Sequence, residues 1–381
     1  MDDNQFLQEI SKIKPWNSSS TPIKVNSIRY NQDFSLLTLG TSKGYRIFLT
    51  SNLKQCNEET KINDNFGDIG IAMTYFNSSL IFLLPSYSNE KYSNRELIIF
   101  DDFYQSIIAS FKDAKREIIN FFLSKNILFI INTNRIIIIE LFTFRIIEII
   151  ESVCTNNKLL SYNFLDYISF TFEPDKKFIH IYNYINNNYK ITYKKKSIIK
   201  LPFDFVQVAQ ISPLGDLIGI ISIFGNKMHL YYTQTGKLKE CIYLGSSILT
   251  IEKMYFSQKK QNYIFIITNN DKYYIYKSKK IEDPKCICEN YNDKSMINGE
   301  LVQEEKPSGF FGFFRKYSKK NKDIKEIHAF FECEGRILFS DFDRNKNKDL
   351  IIIKYDGEFI KYRFIKKSCG NISPFVKIQW L

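Results

Sequence analysis

Short apolar runs recur along the chain, each closed off by a cluster of Asn, Asp, Ser or Gly. Residues 25–48, VNSIRYNQDFSLLTLGTSKGYRIF, set the pattern. They hold three runs, 25–30, 36–39 and 45–48, with turns at Asn31-Gln32-Asp33 and Thr41-Ser42-Lys43-Gly44. β-Branched and aromatic residues fill the runs and turn formers fill the gaps, so each run is predicted as a strand. The same rhythm predicts strands at 71–76, 80–84 and 97–100, then at 118–123, 127–131, 135–141 and 145–149. A third set follows at 162–172 and 178–184, and a fourth at 206–211, 217–223, 227–232 and 238–243. Strands at 249–256, 264–268 and 273–277 precede a long irregular stretch, and strands at 336–339, 350–354 and 359–364 follow it. Residues 374–381 are expected to add a last strand or a cap.

These runs group into seven units at roughly 40–45 residue spacing, the period of a WD-type blade. Each unit has apolar faces that only its neighbours bury, so the ring must close. The expected fold is an all-β, seven-bladed WD40-like propeller over 23–381, preceded by a polar tail, 1–22. Residues 278–323 form an insertion in blade six; an insertion that long within a compact fold is usually functional or disordered.

Composition changes this picture little. The chain has 381 residues, 44% hydrophobic and 16% aromatic, enough for a substantial core. The Met1-Asp2-Asp3 start lacks the basic and apolar regions of a secretory signal. The most apolar region, 118–150, is interrupted by Lys125, Arg135, Glu140, Arg145 and Glu148, leaving no run of spanning length. Seven scattered cysteines suit a reducing compartment. A net charge of +12 favours an anionic partner, although Lys enrichment accompanies a general bias toward Ile, Asn and Lys.

Beyond the blade rhythm, particular segments resemble one family. NQDFSLLTLGTSKGYRIF (31–48) is similar to the first blade of the PROPPINs, YFNSSLIFLL (75–84) to their second, and DGEFIKYRF (356–364) to their last; 313–329 is similar to the segment after their blade-six loop. The resemblance implies a propeller that binds phosphoinositides and acts on autophagic and endosomal membranes. It also implies a Phe/Leu-Arg-Arg-Gly signature at the end of blade five, where forked guanidinium donors hold a phosphorylated inositol. Here Ile242-Tyr243-Leu244-Gly245 stands in that register. Gly245 is kept, while Tyr243 and Leu244 replace both arginines. His229 and Asn226 stand where an arginine and a threonine are expected, and Tyr274, with Lys272 nearby, where a histidine is expected. The implied lipid site is therefore degenerate. Arg95 holds half of the family's blade-two contact for a lipid-transfer partner.

Within the insertion, Phe310, Phe311, Phe313 and Phe314 adjoin Arg315, Lys316, Lys319 and Lys320. Rings beside cations suit an interfacial membrane anchor, with packing beneath the loop as the structural alternative. Lys194-Lys195-Lys196 and Lys279-Lys280 read as solvated turns or as partial substitutes for the arginines. Cys286-x-Cys288 has no second pair for zinc, and the Asp341–Asp349 stretch lacks the glycine and terminal glutamate of a calcium loop. No catalytic motif and no cofactor site is found.

The expectation is a non-enzymatic, monomeric PROPPIN-like scaffold, cytoplasmic and peripheral on endosomal, autophagosomal or related membranes. Its partners would be autophagy-type proteins and acidic lipid, phosphatidylinositol 3-phosphate or 3,5-bisphosphate. The rival reading is a soluble protein-interaction propeller without phosphoinositide binding. Nucleic acid is not expected, because no basic stripe carries stacking aromatics.

Overall fold

A computed structural model describes residues 23–50, 55–56, 63–153, 159–163, 166–171, 177–187, 190–202, 206–244, 249–257, 263–269, 272–278, 329–332, 337–342, 349–354, 358–363 and 374–379. The described chain is all-β and follows a propeller plan of antiparallel meanders in chain order. The first sheet holds β1 (Val25–Tyr30), β2 (Leu36–Thr41) and β3 (Gly44–Leu49). Blade two holds β4 (Ile69–Thr74), β5 (Leu80–Pro85), β6 (Glu96–Asp101) and β7 (Ser106–Lys112). Blade three holds β8 (Ile118–Leu123), β9 (Ile127–Asn132), β10 (Arg135–Glu140) and β11 (Ile146–Glu151). Blade four holds β12 (Ser161–Tyr162), β13 (Tyr167–Phe170), β14 (Phe178–Asn187) and β15 (Lys190–Lys200). Blade five holds β16 (Val206–Ile211), β17 (Leu217–Ser222), β18 (Lys227–Tyr232) and β19 (Leu238–Tyr243). Blade six holds β20 (Ile251–Phe256), β21 (Tyr263–Thr268), β22 (Lys272–Lys277) and β23 (Ala329–Glu332). The last blade holds β24 (Ile337–Phe342), β25 (Asp349–Lys354), β26 (Glu358–Arg363) and β27 (Pro374–Gln379).

Four expectations need correction. Seven complete blades are not found among the described residues: six sheets have four strands and the β1–β3 sheet has three. One isolated bridge, Phe48 to Gln55, marks the outer side of β3. The segment after β3 is polar and lacks the alternating apolar positions that sustain a strand. Blade two, which the run spacing puts at about 69–103, carries a fourth strand, β7, beyond that end. The expected single strand at 162–172 is broken into β12 and β13. There Asn163 Oδ1 accepts the Tyr167 amide at 3.1 Å and Asp166 takes a φ of 62°, so polar side chains turn an apolar run back on itself. The run spacing puts the last blade at 327–364, yet residues 329–332 pair with β22 in blade six, Lys272 opposite Glu332.

Middle strands such as β2, β9 and β17 are buried along their whole length, whereas nearly every residue of the outer strands β7, β11 and β19 is exposed or half-buried. This explains why runs such as ILFIIN and LIGIIS show no alternation. Apolar clusters join each sheet to the next, for example Phe82 and Leu97 with Phe121 and Ile130, or Phe129 and Ile138 with Phe170 and Tyr184. β1 lies beside β4 on one side and β24 on the other, so the first and last sheets meet.

The first strands line the axis, and Arg29 of β1 reaches across it. Its Nη1 donates to Tyr162 Oη at 3.1 Å and its Nη2 to Asn120 Oδ1 at 3.0 Å. The guanidinium also lies 5.4 Å from the centre of the Phe122 ring, which stacks on Tyr162.

Candidate functional site

The junction of blades five and six carries the positions of the expected headgroup site. β18 and β19 place His229 directly opposite Cys241, with Nε2 and Sγ 3.7 Å apart. Burial first, and the Lys227 charge second, push the His229 pKa down to about 4. The imidazole is therefore neutral at pH 7 and is not a cationic phosphate donor. Cys241 is exposed as a residue, yet partial desolvation of its thiol holds the pKa above its ordinary value, so it is not a ready thiolate.

Tyr243 ends β19 half-buried, opposite Lys227. Leu244 is only 4% exposed and packs among Met228, Ile251, Met254 and Tyr276. Its amide donates to the Asn226 carbonyl at 2.8 Å, and its carbonyl accepts the Tyr276 hydroxyl at 3.1 Å. Gly225, with a φ of 64°, approaches the Leu249 carbonyl so closely that a Cβ would overlap it. Tyr274 packs partly against the same apolar cluster, and the exposed Lys272 starts β22. Gly245 lies outside the described residues, as do Lys279, Lys280 and the insertion residues Phe310, Phe311, Phe313, Phe314, Arg315, Lys316, Lys319 and Lys320. Lys194, Lys195 and Lys196 fall within β15 rather than in a turn.

The junction of blades two and three is built differently. Arg95, ahead of β6, meets Lys115, Arg116 and Glu117 from the β7–β8 connection and Thr133 and Asn134 from the β9–β10 turn. Together they line an open pocket of about 390 Å³. Asp113 sets the shape of this wall. Its Oδ1 accepts the amides of Lys115 at 2.9 Å and Arg116 at 3.0 Å, and its Oδ2 pairs with Arg135. Burial alone would raise the Asp113 carboxyl; the two amides and Arg135 outweigh it and hold the pKa below the usual carboxylate value. Arg116 Nη1 also meets Glu151 Oε2 at 2.9 Å. The pocket thus presents the Arg95 guanidinium, the Lys115 ammonium and the face of Arg116 not engaged by Glu151, against one lining carboxylate, Glu117, a balance that suits a carboxylate or another small anion.

Sequence reading singled out Arg95 but missed Lys115, Arg116, Thr133 and Asn134. Charged and polar residues in a strand-to-strand connection read as solvated, and only the fold brings the three connections together. Among the described residues, no group of three or more His, Cys, Asp or Glu is placed to hold a metal ion. No helix there is long and apolar enough to cross a membrane.

No family model matches the chain. It is 22% identical over 375 residues to SVP1-like protein 2 of Saccharomyces cerevisiae, an alignment covering 89% of this chain and 79% of the relative. Over a shorter stretch of 78 residues it is 32% identical to SVP1-like protein 2 of Schizosaccharomyces pombe, covering 20% of this chain and 21% of that protein. The fold resembles that of Kluyveromyces lactis Hsv2, with a TM-score of 0.68 and 14% identity over 94% of this chain and 99% of that one. It also resembles KlAtg21, solved in complex with the coiled coil of AgAtg16, with a TM-score of 0.63 and 13% identity over 94% of this chain and 100% of that one. The resemblance to PROPPINs read from the blade sequences is thus matched by the relatives and by the fold.

Proposed function

We propose that this PROPPIN-like propeller is a non-enzymatic scaffold of autophagy or organelle-membrane biogenesis that recruits a protein partner through an acidic segment. The observation that carries the reading is the pocket of Arg95, Lys115 and Arg116 between blades two and three. Guanidinium and ammonium donors held on backbone-anchored turns recognise carboxylates without first ordering a loop. The similarity to KlAtg21, bound in its structure to a coiled coil, supports a helical partner. In this reading the β1–β3 sheet is a seventh blade with a rudimentary outer strand, the protein is cytoplasmic and acts as a monomer, and it works peripherally on endosomal or autophagosomal membranes.

The test is binding of an Atg16-type coiled-coil peptide to the full chain by fluorescence anisotropy. R95E combined with R116E is expected to weaken it by on the order of a hundredfold. An unchanged affinity overturns the reading.

A second reading, an interaction propeller without phosphoinositide binding, is favoured by one observation: Leu244 is buried and His229 is neutral where a headgroup would need donors. Flotation on phosphatidylcholine vesicles with and without phosphatidylinositol 3-phosphate separates the two. Phosphoinositide-dependent flotation removes the second reading.

A further inference from the structure

The fourth strand of each complete blade ends its sheet, and an open sheet edge pairs with foreign chains unless something blunts it. Five of the six outer strands carry such guards. β11, IIEIIE, holds Glu148 and Glu151, β19, LKECIY, holds Lys239 and Glu240, and β15 is rich in lysine. β23, AFFE, is only four residues long and ends in Glu332, and β27, PFVKIQ, opens with Pro374 and holds Lys377. β7, SIIASFK, has no proline and no charge before its last residue, Lys112, which pairs with Glu96 at 3.4 Å.

Every residue of β7 is exposed or half-buried, Ile107 by 46% and Ile108 by 49%. The turn before it lifts Phe103 and Tyr104 into solvent as an edge-to-face pair with ring centres 5.0 Å apart, and Asp101 Oδ1 fixes that turn by accepting their amides at 3.0 and 3.3 Å. An aromatic turn alone does not leave an edge open: Phe142 and Phe144 are exposed ahead of β11, whose glutamates guard it.

The backbone polarity of β7 follows from its register. Ile98 lies opposite Ser110, Leu97 opposite Phe111 and Glu96 opposite Lys112, and the Asp113 amide donates to the Arg95 carbonyl at 2.9 Å. Alternation then turns the amides and carbonyls of Ser110 and Lys112 away from β6. The bulge lies between Ile99 and Phe100, so 109–112 is a straight run, and among the described residues β7 pairs with no strand but β6. On one side of this run Ala109 and Phe111 pack against the apolar cluster that joins blades two and three. On the other side stand Ser110 and Lys112, both exposed.

We propose that β7 is a β-augmentation site, which takes an extended segment of a protein partner as a fifth strand of blade two. The segment has apolar side chains at alternate positions, which extend the cluster along Ala109 and Phe111, and a carboxylate at the end beside Lys112 and the exposed Lys115. Antiparallel entry sets its amino end at these lysines and its carboxyl end at Phe103 and Tyr104. The open ladder decides against a lipid occupant, which would cover the outward amides and carbonyls without bonding them. Charge and area decide against a second copy. Two chains of net charge +12, meeting at one short strand each, bury less than the roughly 1,000 Å² that stable association needs. The site is separate from the pocket of Arg95 and Arg116 and does not depend on it.

The test is fluorescence anisotropy of the full chain with the labelled probe peptide Ac-ETVTVTVW-NH2 at about 0.15 M salt, beside two isomers N-methylated at every second amide, one for each edge of the peptide. Wild type is expected to bind the parent and one isomer saturably, and the other isomer at least about tenfold more weakly, because only one edge joins the ladder. The isomers probe the ladder without altering the protein. S110P removes an outward amide that β6 does not use, a change that edge strands accommodate, and is expected to lose on the order of tenfold. R95E/R116E is expected to hold the probe within about threefold at this salt, and S110P to keep the affinity for the coiled-coil peptide, so failure of the partner pocket and failure of the edge are told apart. Absence of saturable binding, equal binding of the two isomers, or wild-type affinity in S110P overturns the proposal; concentration-dependent dimerisation of the full chain that S110P abolishes does so in favour of a second copy.

Discussion

At the junction of blades five and six, the places where a headgroup site needs donors hold Tyr243, buried Leu244 and neutral His229. At the junction of blades two and three, Arg95, Lys115 and Arg116 face an open pocket. Both junctions are made the same way, by two meanders pressing apolar faces together. They differ in what happens at the edge of the apolar cluster. At the first, the cluster continues outward and absorbs the candidate residues. At the second, Asp113 stops it with a turn whose amides and Arg135 compensate the carboxylate, which leaves the neighbouring cations facing outward. A propeller edge thus keeps its charged groups at the surface where a buried counter-charge anchors its turn, and becomes core where none does.

The strongest way to break this contrast is to force charge into the apolar junction. L244R places a guanidinium among Met228, Ile251 and Tyr276 and is expected to cost roughly 4 kcal/mol, read as a large drop in denaturant midpoint. A near-neutral result would mean that the junction opens easily and that Leu244 is not core. Restoring both family arginines together is for this reason a poor probe of lipid binding. Next in size is the effect of pH. His229 has a folded pKa of about 4 against an ordinary 6.5, so the unfolded chain binds more protons between these values. Stability contributed by the neutral ring is complete above pH 6.5 and is lost as pH falls toward 4, by about 3 kcal/mol at most. H229Q is expected to flatten that slope in acid titrations, and an unaltered slope would assign it to other groups. D113N, at the other junction, is expected to cost about 1–2 kcal/mol at pH 7. The lowered Asp113 pKa contributes stability above the ordinary carboxylate value and loses it as pH falls through the folded one, so the cost of D113N should fade in acid. The smallest effect belongs to Y243R. Its side chain is half-buried at a strand end, so stability should move by less than about 1 kcal/mol. Any gain in phosphatidylinositol 3-phosphate flotation from this single change would show that a headgroup pocket survives in outline.

Much of the fold was legible because period-two and continuous apolar runs, bounded by turn formers, are set locally. All four strands of blades three and five lie close to where the runs placed them. Failures came where non-local pairing decides. β23 resumes a sheet after the 278–323 insertion, and nothing in AFFE says which neighbour it joins. Asn163 and Asp166 break an apolar run through side-chain bonds to the backbone, which composition hides. The degenerate character of the blade-five positions could be read from residue identity alone, because Tyr and Leu lack guanidinium chemistry. That Leu244 points into the core could not, since a strand-end residue has two faces to choose between. The aromatic tips had a signal that went unused: Phe-Tyr and Phe-Thr-Phe stand where turn chemistry expects polar residues.

Arg29 has a mechanical consequence. One side chain from the opening strand is bonded to blade three through Asn120 and to blade four through Tyr162, neither of which is its neighbour around the circumference. It acts as a strut across the hub, so slackening at the seam between the first and last sheets is transmitted to the far side, and the two halves of the wheel resist shear together.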